Sequence, residues 1–383
     1  MFGASNWHGY SAARLFGSRT IAGPPESTRK ASHATIKVRL PGGASREPHR
    51  EISSIEPSIV DLSIICVNWN ALGYLRSALA SVQQNTHATS YEVIVVDNAS
   101  PEGGVDAMKE EFPDTIIIKS PENLGFARAN NLGFTHASGE FVLLLNPDTE
   151  LRGPAIDILM ANARALPDFG VIGGKLLNTD LTVQTQAVQT FPTILNQVLN
   201  IESLRLRWPS CPLWNIAPLF LRNGKPVKVE VIPGACMLLR SATFAKVGMF
   251  SEEYFMYAED LDLNWKVRAL GLTNYYIEDS EIVHHGGRSS SRQMVSQWST
   301  KMMYTAMLCY YQKNRGPVYA VLYRMAMATS ALVRLLLLAL MYPFVDQQVY
   351  RAASSKWSVV LRWALGYREA PAVTAKTKAE VRA

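Results

Sequence analysis

The sequence predicts an α/β protein built on a Rossmann-like, mostly parallel sheet that is flanked by helices. Short, continuous apolar runs such as Phe141–Leu145 alternate with segments of helical periodicity, and the connections between them are short. A continuous apolar run is typical of a strand buried on both faces, and strand–helix alternation is typical of parallel strands joined by right-handed crossovers. With 383 residues, 48% of them hydrophobic and 18% charged, the chain has the composition of a globular protein with an ample core.

Charge divides the chain into three regions. Residues 1–58 carry 8 Lys/Arg and 4 Asp/Glu, residues 59–290 carry 17 and 25, and residues 291–383 carry 13 and 3. The first region is rich in Ser, Gly, Pro and Arg and has no sustained period, so we predict a disordered basic tail. We expect residues 59–292 to form the catalytic domain and residues 293–383 to form a helical, basic extension that associates with an anionic membrane surface.

The predicted elements begin at Asp61 and follow one another in chain order. Leu75, Leu79 and Val82 share one face of the first helix, and Gly271 suits the C-cap of the last helix in the catalytic domain. Strands are predicted over residues 62–67, 91–96, 115–119, Phe141–Leu145 and 170–177, and over 229–240 after a bend. Helices are predicted over residues 73–85, from Pro101, over 125–136, from about Pro154 and over 254–271.

Polar side chains follow three of the predicted strands. Asn68 and Asn70 end the first strand, Asp97 and Asn98 end the second, and Asn146 and Asp148 follow Phe141–Leu145. Because the carboxyl ends of parallel strands meet at one edge of a sheet, we expect these side chains to line one crevice. Their oxygen atoms suit a hard cation such as Mg²⁺ or Mn²⁺. The alternative is an Asx-type turn in which Asp148 caps the next helix.

Several other classes of site are not predicted. No G-x-G-x-x-G follows the first strand and no G-x-x-x-x-G-K-[ST] is present, which argues against a dinucleotide site and a P-loop. The four cysteines are scattered and indicate reduced thiols in a cytosolic protein rather than zinc ligands or disulfides. No interleaved basic and aromatic strand pattern is present, so nucleic acid is not an expected partner.

Three acids begin the helix near residue 259. Glu259, Asp260 and Asp262 suit the positive end of a helix dipole, and this accounts for Asp262. The pair Glu259 and Asp260 also follows the aromatic segment 254–257, where partial burial would raise the pKa of a carboxylate. A general base that deprotonates a hydroxyl needs such an environment.

A basic cluster follows the last predicted strand. His284 and His285 precede two glycines, and Arg288 and Arg292 come shortly afterwards, where they could grip a diphosphate. A lone histidine is more often structural than functional, but two adjacent ones in a loop favour a functional role.

In this order, the motifs VNWN, VVDNAS, ENLGFARANNLG, LLLNPDTEL, PGACMLLRS, YFMYAEDLDLNWKVRALG and VHHGGRSS resemble those of the family 2 glycosyltransferases with a GT-A fold. The similarity runs from about Asp61 to Arg292 and favours the bacterial rhamnosyltransferase-like branch. It implies a GT-A fold with a helical C-terminal extension, and a reaction that inverts the anomeric centre of a nucleotide sugar.

The resemblance also implies roles for individual residues. Asp260 would be the general base, with Glu259 as the second choice, and Asp148 and His284 would hold a divalent cation, Mg²⁺ or Mn²⁺. Asp97 would accept a hydrogen bond from N3–H of a pyrimidine base. The remaining donor-binding residues would be Asn68, Asn70, Asn123, Arg128, Asn146, Arg288 and Arg292.

Alternatives remain open for two of the donor-binding residues and for two further residues that the resemblance places near the acceptor. Arg128 could equally be a solvated helix residue. Asn146 replaces the first Asp of the family's D-x-D pattern, so metal affinity would be lower, or Asn146 would contact the sugar instead. Gly234 and Ala235 would lie near the acceptor, where small residues allow close backbone approach, or would form a tight turn.

We therefore predict an inverting transferase that moves rhamnose from dTDP-rhamnose, or another sugar from a UDP-sugar, to a hydroxyl of a lipid-linked or cell-surface glycan. A galactofuranosyl or other hexosyl transferase is one alternative. An inactive nucleotide-sugar-binding protein is another, and Asn146 is the residue that favours it. Trp208 and Trp214, in the poorly readable segment 151–228, fit either an acceptor site or a core.

The C-terminal extension contains one long apolar segment. Residues 325–345 are almost entirely apolar, with Arg334 in the middle, and a central arginine costs roughly 2.5–3.5 kcal/mol on membrane insertion. We predict an amphipathic helix in the interface, on the inner face of the cytoplasmic membrane. A transmembrane span and a docked core helix are the alternatives.

Overall fold

The computed structural model describes residues 60–286, 297–344 and 346–367. The predicted N-terminal tail and the predicted diphosphate contacts Arg288 and Arg292 lie outside the described residues. The strands are β1 (Leu62–Asn68), β2 (Tyr91–Asp97), β3 (Ile116–Lys119), β4 (Phe141–Leu145), β5 (Thr149–Arg152), β6 (Phe169–Leu177), β7 (Val227–Val229), β8 (Cys236–Arg240) and β9 (Thr273–His284).

Eleven α-helices are found in the described ranges, together with 3₁₀ turns at Val105–Ala107, Ala217–Phe220 and Tyr342–Phe344. The helices are α1 (Leu72–Asn85), α2 (Met108–Glu111), α3 (Gly125–Phe134), α4 (Ala155–Ala165), α5 (Ile194–Val198), α6 (Glu202–Arg207), α7 (Ser241–Lys246), α8 (Glu259–Ala269), α9 (Gln297–Arg315), α10 (Pro317–Met341) and α11 (Gln347–Ala364).

One mixed sheet organises these elements, in the order β3-β2-β1-β4-β8-β6-β9-β5, with β7 paired to β9. The first four strands are parallel, as predicted, and the step from β1 to β2 runs opposite to the step from β3 to β4. Right-handed crossovers therefore place α1 and α3 on opposite faces. Beyond β4 the sheet is not mostly parallel, because β8 enters antiparallel to both β4 and β6, and β5 and β7 are antiparallel to β9.

Burial explains the apolar runs. Every residue of β1 and of β4 is buried, since helices or loops cover both faces of the sheet there. The predicted face of α1, formed by Leu75, Leu79 and Val82, points into the same core. All four cysteines are free, as predicted.

Two local predictions differ from the structure. Pro101 does not open a helix, because Gly103 and Gly104 follow it with positive φ and α2 begins only at Met108. The strand β5 was not predicted, and it takes up the residues directly after Asp148. The next helix, α4, has no side-chain cap, so the alternative in which Asp148 caps it is wrong.

The two tryptophans of the segment 190–226 lie in different environments, one in the core and one at the surface. Trp214 is buried and its indole Nε1–H donates to the carbonyl oxygen of Trp208, 2.7 Å away. The side chain of Trp208 itself is exposed. Trp214 therefore belongs to the core, and only Trp208 is available for contact with another molecule.

The C-terminal helices α9, α10 and α11 share a second apolar cluster with the start of α8. Tyr254 and Leu261 from the catalytic part pack with Tyr310, Tyr323 and Trp363 from the three helices. The extension is therefore docked on the helix that carries the acidic pair, and its core is continuous with that part of the molecule.

Asp262 joins α8 to α9 and does more than face a helix dipole. Its fully buried carboxylate accepts hydrogen bonds from Ser251 (2.5 Å), Asn314 (3.0 Å) and Lys313 (3.3 Å). Burial works to raise the pKa of Asp262, but these hydrogen bonds and the charges of Lys313 and Lys266 hold it below its ordinary value. The dipole explanation of Asp262 was thus incomplete.

The helix α10 presents a broad apolar surface to solvent. The segment Pro317–Phe344 has a mean hydropathy of 1.8 and only 17% of its most apolar window is buried, which does not fit the docked core helix. Its central Arg334 turns inward, where it donates to the carbonyl oxygen of Val198 (2.7 Å) and lies 4.3 Å from the ring centroid of Trp357. Length and composition alone do not distinguish a span from an interfacial helix.

We expect Asp262→Ala to lower the free energy of unfolding by about 1–3 kcal/mol, because it removes the buried acceptor that Ser251, Lys313 and Asn314 share. Urea unfolding followed by tryptophan fluorescence measures this loss. Asp279→Ala, which removes an exposed acid of β9, is the matched control and should stay within about 0.5 kcal/mol of wild type. Equal losses in the two variants would contradict the role of Asp262.

Candidate functional site

Asp97 is held at the carboxyl end of β2 by its neighbours on β1 and in the next loop. Parallel register places Asn68 beside Asp97. The Oδ1 atom of Asp97 accepts hydrogen bonds from Nδ2 of Asn68 (2.8 Å) and from Oγ of Ser100 (2.6 Å). Within residues 60–286, Oδ2 of Asp97 accepts no hydrogen bond, so one oxygen remains available to a ligand. Asn68 is fully buried and lies behind Asp97. It therefore orients that carboxylate and has no exposed surface with which to contact a sugar nucleotide.

Asn70 lines a small cavity and is linked to Asp97 through Ser100. Its backbone is in the left-handed region (φ 50°), its N–H donates to Oγ of Ser100 (3.0 Å), and its Oδ1 accepts from the N–H of Glu102 (3.2 Å). The cavity has a volume of about 320 Å³, and Tyr74 and Glu150 also line it. Asp97, Asn146 and Asp148 are not among the residues that line this cavity, so the role of Asn70 in donor binding stays a prediction.

Asn98, which the sequence placed at the end of the second strand but not among the donor-binding residues, fixes the predicted donor loop. Its Oδ1 accepts from the N–H of Leu124 (2.8 Å) and its Nδ2 donates to Oδ1 of Asn123 (3.0 Å). The loop then enters α3 at Gly125, where φ is +78° and a Cβ atom would lie 2.2 Å from the carbonyl oxygen of Phe255. Glycine is therefore required there on both counts.

Arg128 lies on the outer side of α3. Its side chain is about half exposed, and its Nε is 3.9 Å from Oε2 of Glu252, itself exposed. This ion pair is typical of a solvated helix residue. The structure therefore favours the alternative given for Arg128 over direct contact with a donor.

At the end of β4, three side chains converge. Antiparallel pairing of β5 with β9 sets Thr149 opposite His284 and so brings the imidazole to Asp148. The Nε2 atom of His284 lies 3.4 Å from Oδ1 of Asp148 and 3.4 Å from Nδ2 of Asn146. Burial works to raise the pKa of Asp148, but the neighbouring imidazole groups of His284 and His285 hold that pKa below its ordinary value.

These residues suit a divalent cation by the chemistry of their donor atoms. The Oδ1 atom of Asn146 is buried and has no hydrogen-bond partner in the described chain, which is costly unless something else satisfies it. A carboxylate, an imidazole and an amide oxygen are acceptable ligands of Mg²⁺ or Mn²⁺. Among residues 60–286, 297–344 and 346–367, no group of three His, Cys, Asp or Glu side chains forms a cation site, so phosphate oxygens and water would complete the coordination.

Gly234 and Ala235 connect this strand end to the acidic pair. The carbonyl oxygen of Ala235 accepts from the N–H of Asn146 (3.0 Å), and the N–H of Gly234 donates to Oδ2 of Asp260 (3.0 Å). A Cβ atom on Gly234 would make only ordinary contacts, the nearest being 3.6 Å from Cβ of Asp260. The backbone of residue 234 is thus not crowded, and any side chain there would point at Asp260.

The acidic pair is split between two environments. Asp260 is half-buried and its oxygens accept from the N–H groups of Gly234 and Leu261, whereas Glu259 is buried and its Oε2 has no partner in the described chain. Burial raises the pKa of Asp260. Burial, reinforced by the charge of Asp260, raises the pKa of Glu259 to about 8.

The backbone before the pair is strained. Tyr257 (φ 70°) and Ala258 (φ 65°) both occupy the left-handed region, which non-glycine residues rarely adopt. Strain of this kind typically costs about 1–3 kcal/mol per residue and persists at functional sites. The two residues turn the chain so that α8 begins with Glu259 buried and Asp260 at the crevice.

Asn264, one turn further along α8, was also missed. Its fully buried Nδ2 donates to the carbonyl oxygens of Asp260 (2.7 Å) and Ile232 (2.8 Å), and its Oδ1 accepts from the N–H of Ile232 (3.1 Å). It therefore ties the start of α8 to the segment that carries Gly234. An asparagine inside a helical pattern gives no sequence signal for such a contact.

Comparison with known proteins identifies the family. The family model described as glycosyl transferase family 2 matches residues 63–246. A glycosyltransferase of Nostoc sp. (strain PCC 7120) is 36% identical over 292 residues, which cover 66% of this chain and 84% of that relative. The chain belongs to glycosyl transferase family 2. The resemblance drawn from the motifs is thereby confirmed, and so is the prediction of an enzyme that transfers a glycosyl group.

Other glycosyltransferases are similar over shorter or more divergent stretches. The N-acetylglucosaminyl-diphospho-decaprenol L-rhamnosyltransferase of Mycobacterium tuberculosis is 28% identical over 249 residues, which cover 61% of this chain and 79% of that protein. A mannosyltransferase from Pyrobaculum calidifontis, solved with GDP-Man and Mn²⁺, is 16% identical, with a TM-score of 0.49 over 81% of this chain and 90% of that one. Family membership and the mixed sheet together confirm the predicted α/β GT-A fold class.

In this glycosyltransferase, the raised pKa of Glu259 predicts a pH-dependent stability. The folded protein binds the Glu259 proton more tightly than the unfolded chain does. The stability that the protonated carboxyl group contributes is therefore fully present below pH 4.5 and is lost as the pH rises to about 8. Glu259→Gln, which cannot ionise, should gain stability relative to wild type between those limits, by more than about 1 kcal/mol. Urea unfolding across that range measures it, and a difference that does not change with pH would contradict the burial argument.

Proposed function

We propose that this glycosyltransferase moves rhamnose, with inversion, from a pyrimidine nucleotide sugar to a hydroxyl of a lipid-linked glycan. The observation that carries the proposal is the bridge from Asn146 through Ala235 and Gly234 to Asp260, which links a cation-suited strand end to a half-buried carboxylate. A sugar diphosphate at Asp148 would therefore have its anomeric carbon near a base. The rhamnosyltransferase of M. tuberculosis supports the choice of sugar and of a lipid-linked acceptor.

The donor assignment rests on Asp97 and its surroundings. A uracil or thymine base offers N3–H as a donor, and the unpaired Oδ2 of Asp97 is a suitable acceptor at the edge of the sheet. Asn123 and Asn70 border the same edge. We propose dTDP-rhamnose as the donor, with a UDP-sugar as the alternative, and a hexosyl transfer such as galactofuranosyl transfer as the alternative reaction.

The proposed mechanism is a single displacement. Asp260 accepts the proton of the acceptor hydroxyl, whose oxygen bonds to the anomeric carbon while the bond from that carbon to the diphosphate oxygen breaks. A divalent cation, Mg²⁺ or Mn²⁺, would balance the charge on the departing nucleoside diphosphate. Asp148 and His284 would hold it, with Asn146 as a neutral third ligand or as a contact to the sugar.

The two acids of the pair would have different roles. Burial and the charge of Asp260 raise the pKa of Glu259 to about 8, whereas Asp260 accepts two backbone hydrogen bonds that favour its ionised form. Environments that separate the pKa values of two neighbouring carboxyl groups in this way are typical of acid–base sites. Glu259 would therefore maintain Asp260 as the ionised partner, and Gly234 would orient the carboxylate toward the acceptor.

The apolar face of α10 is where the protein would meet its membrane. Large side chains on this helix, among them Met325, Leu336 and Leu340, are exposed, and the C-terminal region has an excess of basic residues. We propose that α10 lies in the interface on the inner face of the cytoplasmic membrane, with a full span as the alternative. Peripheral binding would bring a lipid-linked acceptor to the catalytic part.

Asp260→Asn should keep the fold and donor affinity but lose about 10²–10⁴-fold in transfer rate, because it removes only the basic function. The assay combines dTDP-rhamnose, Mn²⁺ and a polyprenyl-diphospho-N-acetylglucosamine acceptor, with melting temperature as the check on folding. Glu259→Gln is the matched control and should transfer at a rate much closer to wild type. A wild-type rate for Asp260→Asn with an inactive Glu259→Gln would move the base to Glu259, and two active variants would overturn the mechanism.

Flotation with vesicles of anionic phospholipid tests the membrane proposal. Full-length protein should float, and Leu336→Glu combined with Leu340→Glu should weaken vesicle binding at least about tenfold, because both residues lie on one exposed face of α10. Leu181→Glu, an equally exposed leucine on the turn after β6, is the control. Unchanged flotation of the double variant would place the membrane contact elsewhere.

A further inference from the structure

Gln184 contacts His284 on the Nδ1 side of the imidazole, whereas Asp148 lies on the Nε2 side. Its Nε2 donates to the backbone carbonyl oxygen of His284 (2.6 Å), and its Oε1 lies 3.0 Å from Nδ1 of the same residue. The sequence predicted no role for this glutamine.

A turn after β6 fixes the position of Gln184. Asn178 and Thr182 close that turn through a backbone hydrogen bond (2.8 Å) and a side-chain hydrogen bond (2.9 Å), and Leu177 bridges to Val183. The N–H of Gln184 then donates to the carbonyl oxygen of Leu176 (2.9 Å). Because β6 runs parallel to β9 with Leu177 opposite Val283, the glutamine arrives beside the next residue of β9, which is His284.

The two contacts determine which nitrogen of His284 carries the proton. A carbonyl oxygen can only accept, so the atom of Gln184 that contacts it must be the NH₂ group, and the other atom must be the amide oxygen. That oxygen also can only accept, so Nδ1 of His284 must carry a hydrogen. In the neutral imidazole, Nε2 then has a free lone pair.

This lone pair lies at the proposed cation site, where Nδ2 of Asn146 makes only a long contact of 3.4 Å with Nε2. Nε2 of His284 lies 3.4 Å from Oδ1 of Asp148, beside the amide of Asn146 whose Oδ1 has no partner in the described chain. Two acceptor atoms that approach one another with no proton between them are stabilised by a shared cation. Outer hydrogen bonds of this kind orient ligating histidines and typically change metal affinity by about 10–100-fold.

We propose that Gln184 is a positioning residue of the donor site: it holds His284 in the Nδ1–H tautomer and so presents Nε2 to a divalent cation shared with Asp148. This inference rests on the proposed metal-dependent function, and it adds a residue that contacts neither the cation nor the sugar nucleotide. Gln184 acts through His284 alone.

The first readout needs no metal and no activity. Long-range ¹H–¹⁵N correlation spectra of the metal-free, full-length protein at about pH 8 should show His284 protonated at Nδ1 and unprotonated at Nε2. Gln184→Ala should lose this preference, and so should Gln184→Met, which fills nearly the same space but has no amide to accept from Nδ1–H. A wild-type His284 that is protonated at Nε2, whether as the other tautomer or as an imidazolium, would overturn the inference.

The second readout is the affinity for Mn²⁺ in the presence of saturating dTDP, measured by titration calorimetry. Gln184→Ala should bind Mn²⁺ about 10-fold or more weakly, and Gln184→Met should show a similar loss. Gln186→Ala, which changes an exposed glutamine of the same segment, should match wild type. Wild-type Mn²⁺ affinity in Gln184→Ala would also overturn the inference.

A different set of results would show that the proposed metal-dependent function is wrong. If wild type and Asp148→Ala bind dTDP equally well whether or not Mn²⁺ is present, the metal site itself is wrong. The spectra then still decide whether Gln184 sets the tautomer of His284.

Discussion

The backbone of residues 234 and 235 is the link on which the site depends. One peptide hydrogen bond joins Ala235 to Asn146 at the end of β4, and the next residue back, Gly234, holds the carboxylate of Asp260 at the start of α8. Because β8 follows directly and pairs with β4 over five residues, this link is as rigid as the sheet. The distance between the strand end that suits a sugar diphosphate and the carboxylate that suits a base is therefore set by the centre of the fold.

Backbone strain and the burial of an unpaired acid both destabilise the start of α8, which lies on the Asp260 side of this link. The left-handed backbone at Tyr257 and Ala258 and the unpaired, buried Glu259 are both unfavourable, and the contacts of α8 must offset them. Asn264 and Asp262 supply many of those contacts, the first to Ile232 and the second to α9. The C-terminal helices thus stabilise the catalytic helix directly, which couples the apolar face of α10 to the acidic pair.

Local patterns were sufficient for the strands and for the polar residues at their ends. Phe141–Leu145 was predicted to the residue, and Asp97, Asn146 and Asp148 were expected at one edge because continuous apolar runs and a proline mark strand ends. What escaped prediction depends on long-range pairing. The register of β5 against β9 brings His284 to Asn146 and Asp148, and Gln184, Asn264 and Asp262 contact His284, Ile232 and Asn314. These contacts join residues 32 to 138 positions apart, which no local period encodes. The direction of β8 escaped for the same reason, since an apolar run does not specify its neighbours.

A crystal of the protein grown with dTDP and Mn²⁺ tests the central claim most directly, because anomalous scattering locates manganese without reference to the protein atoms. The account predicts one strong anomalous peak about 2.1–2.3 Å from a carboxylate oxygen of Asp148 and from Nε2 of His284, with diphosphate oxygens completing the shell and the pyrimidine base at Asp97. A manganese peak remote from Asp148 and His284, or a bound nucleotide with no manganese at this strand end, would contradict it.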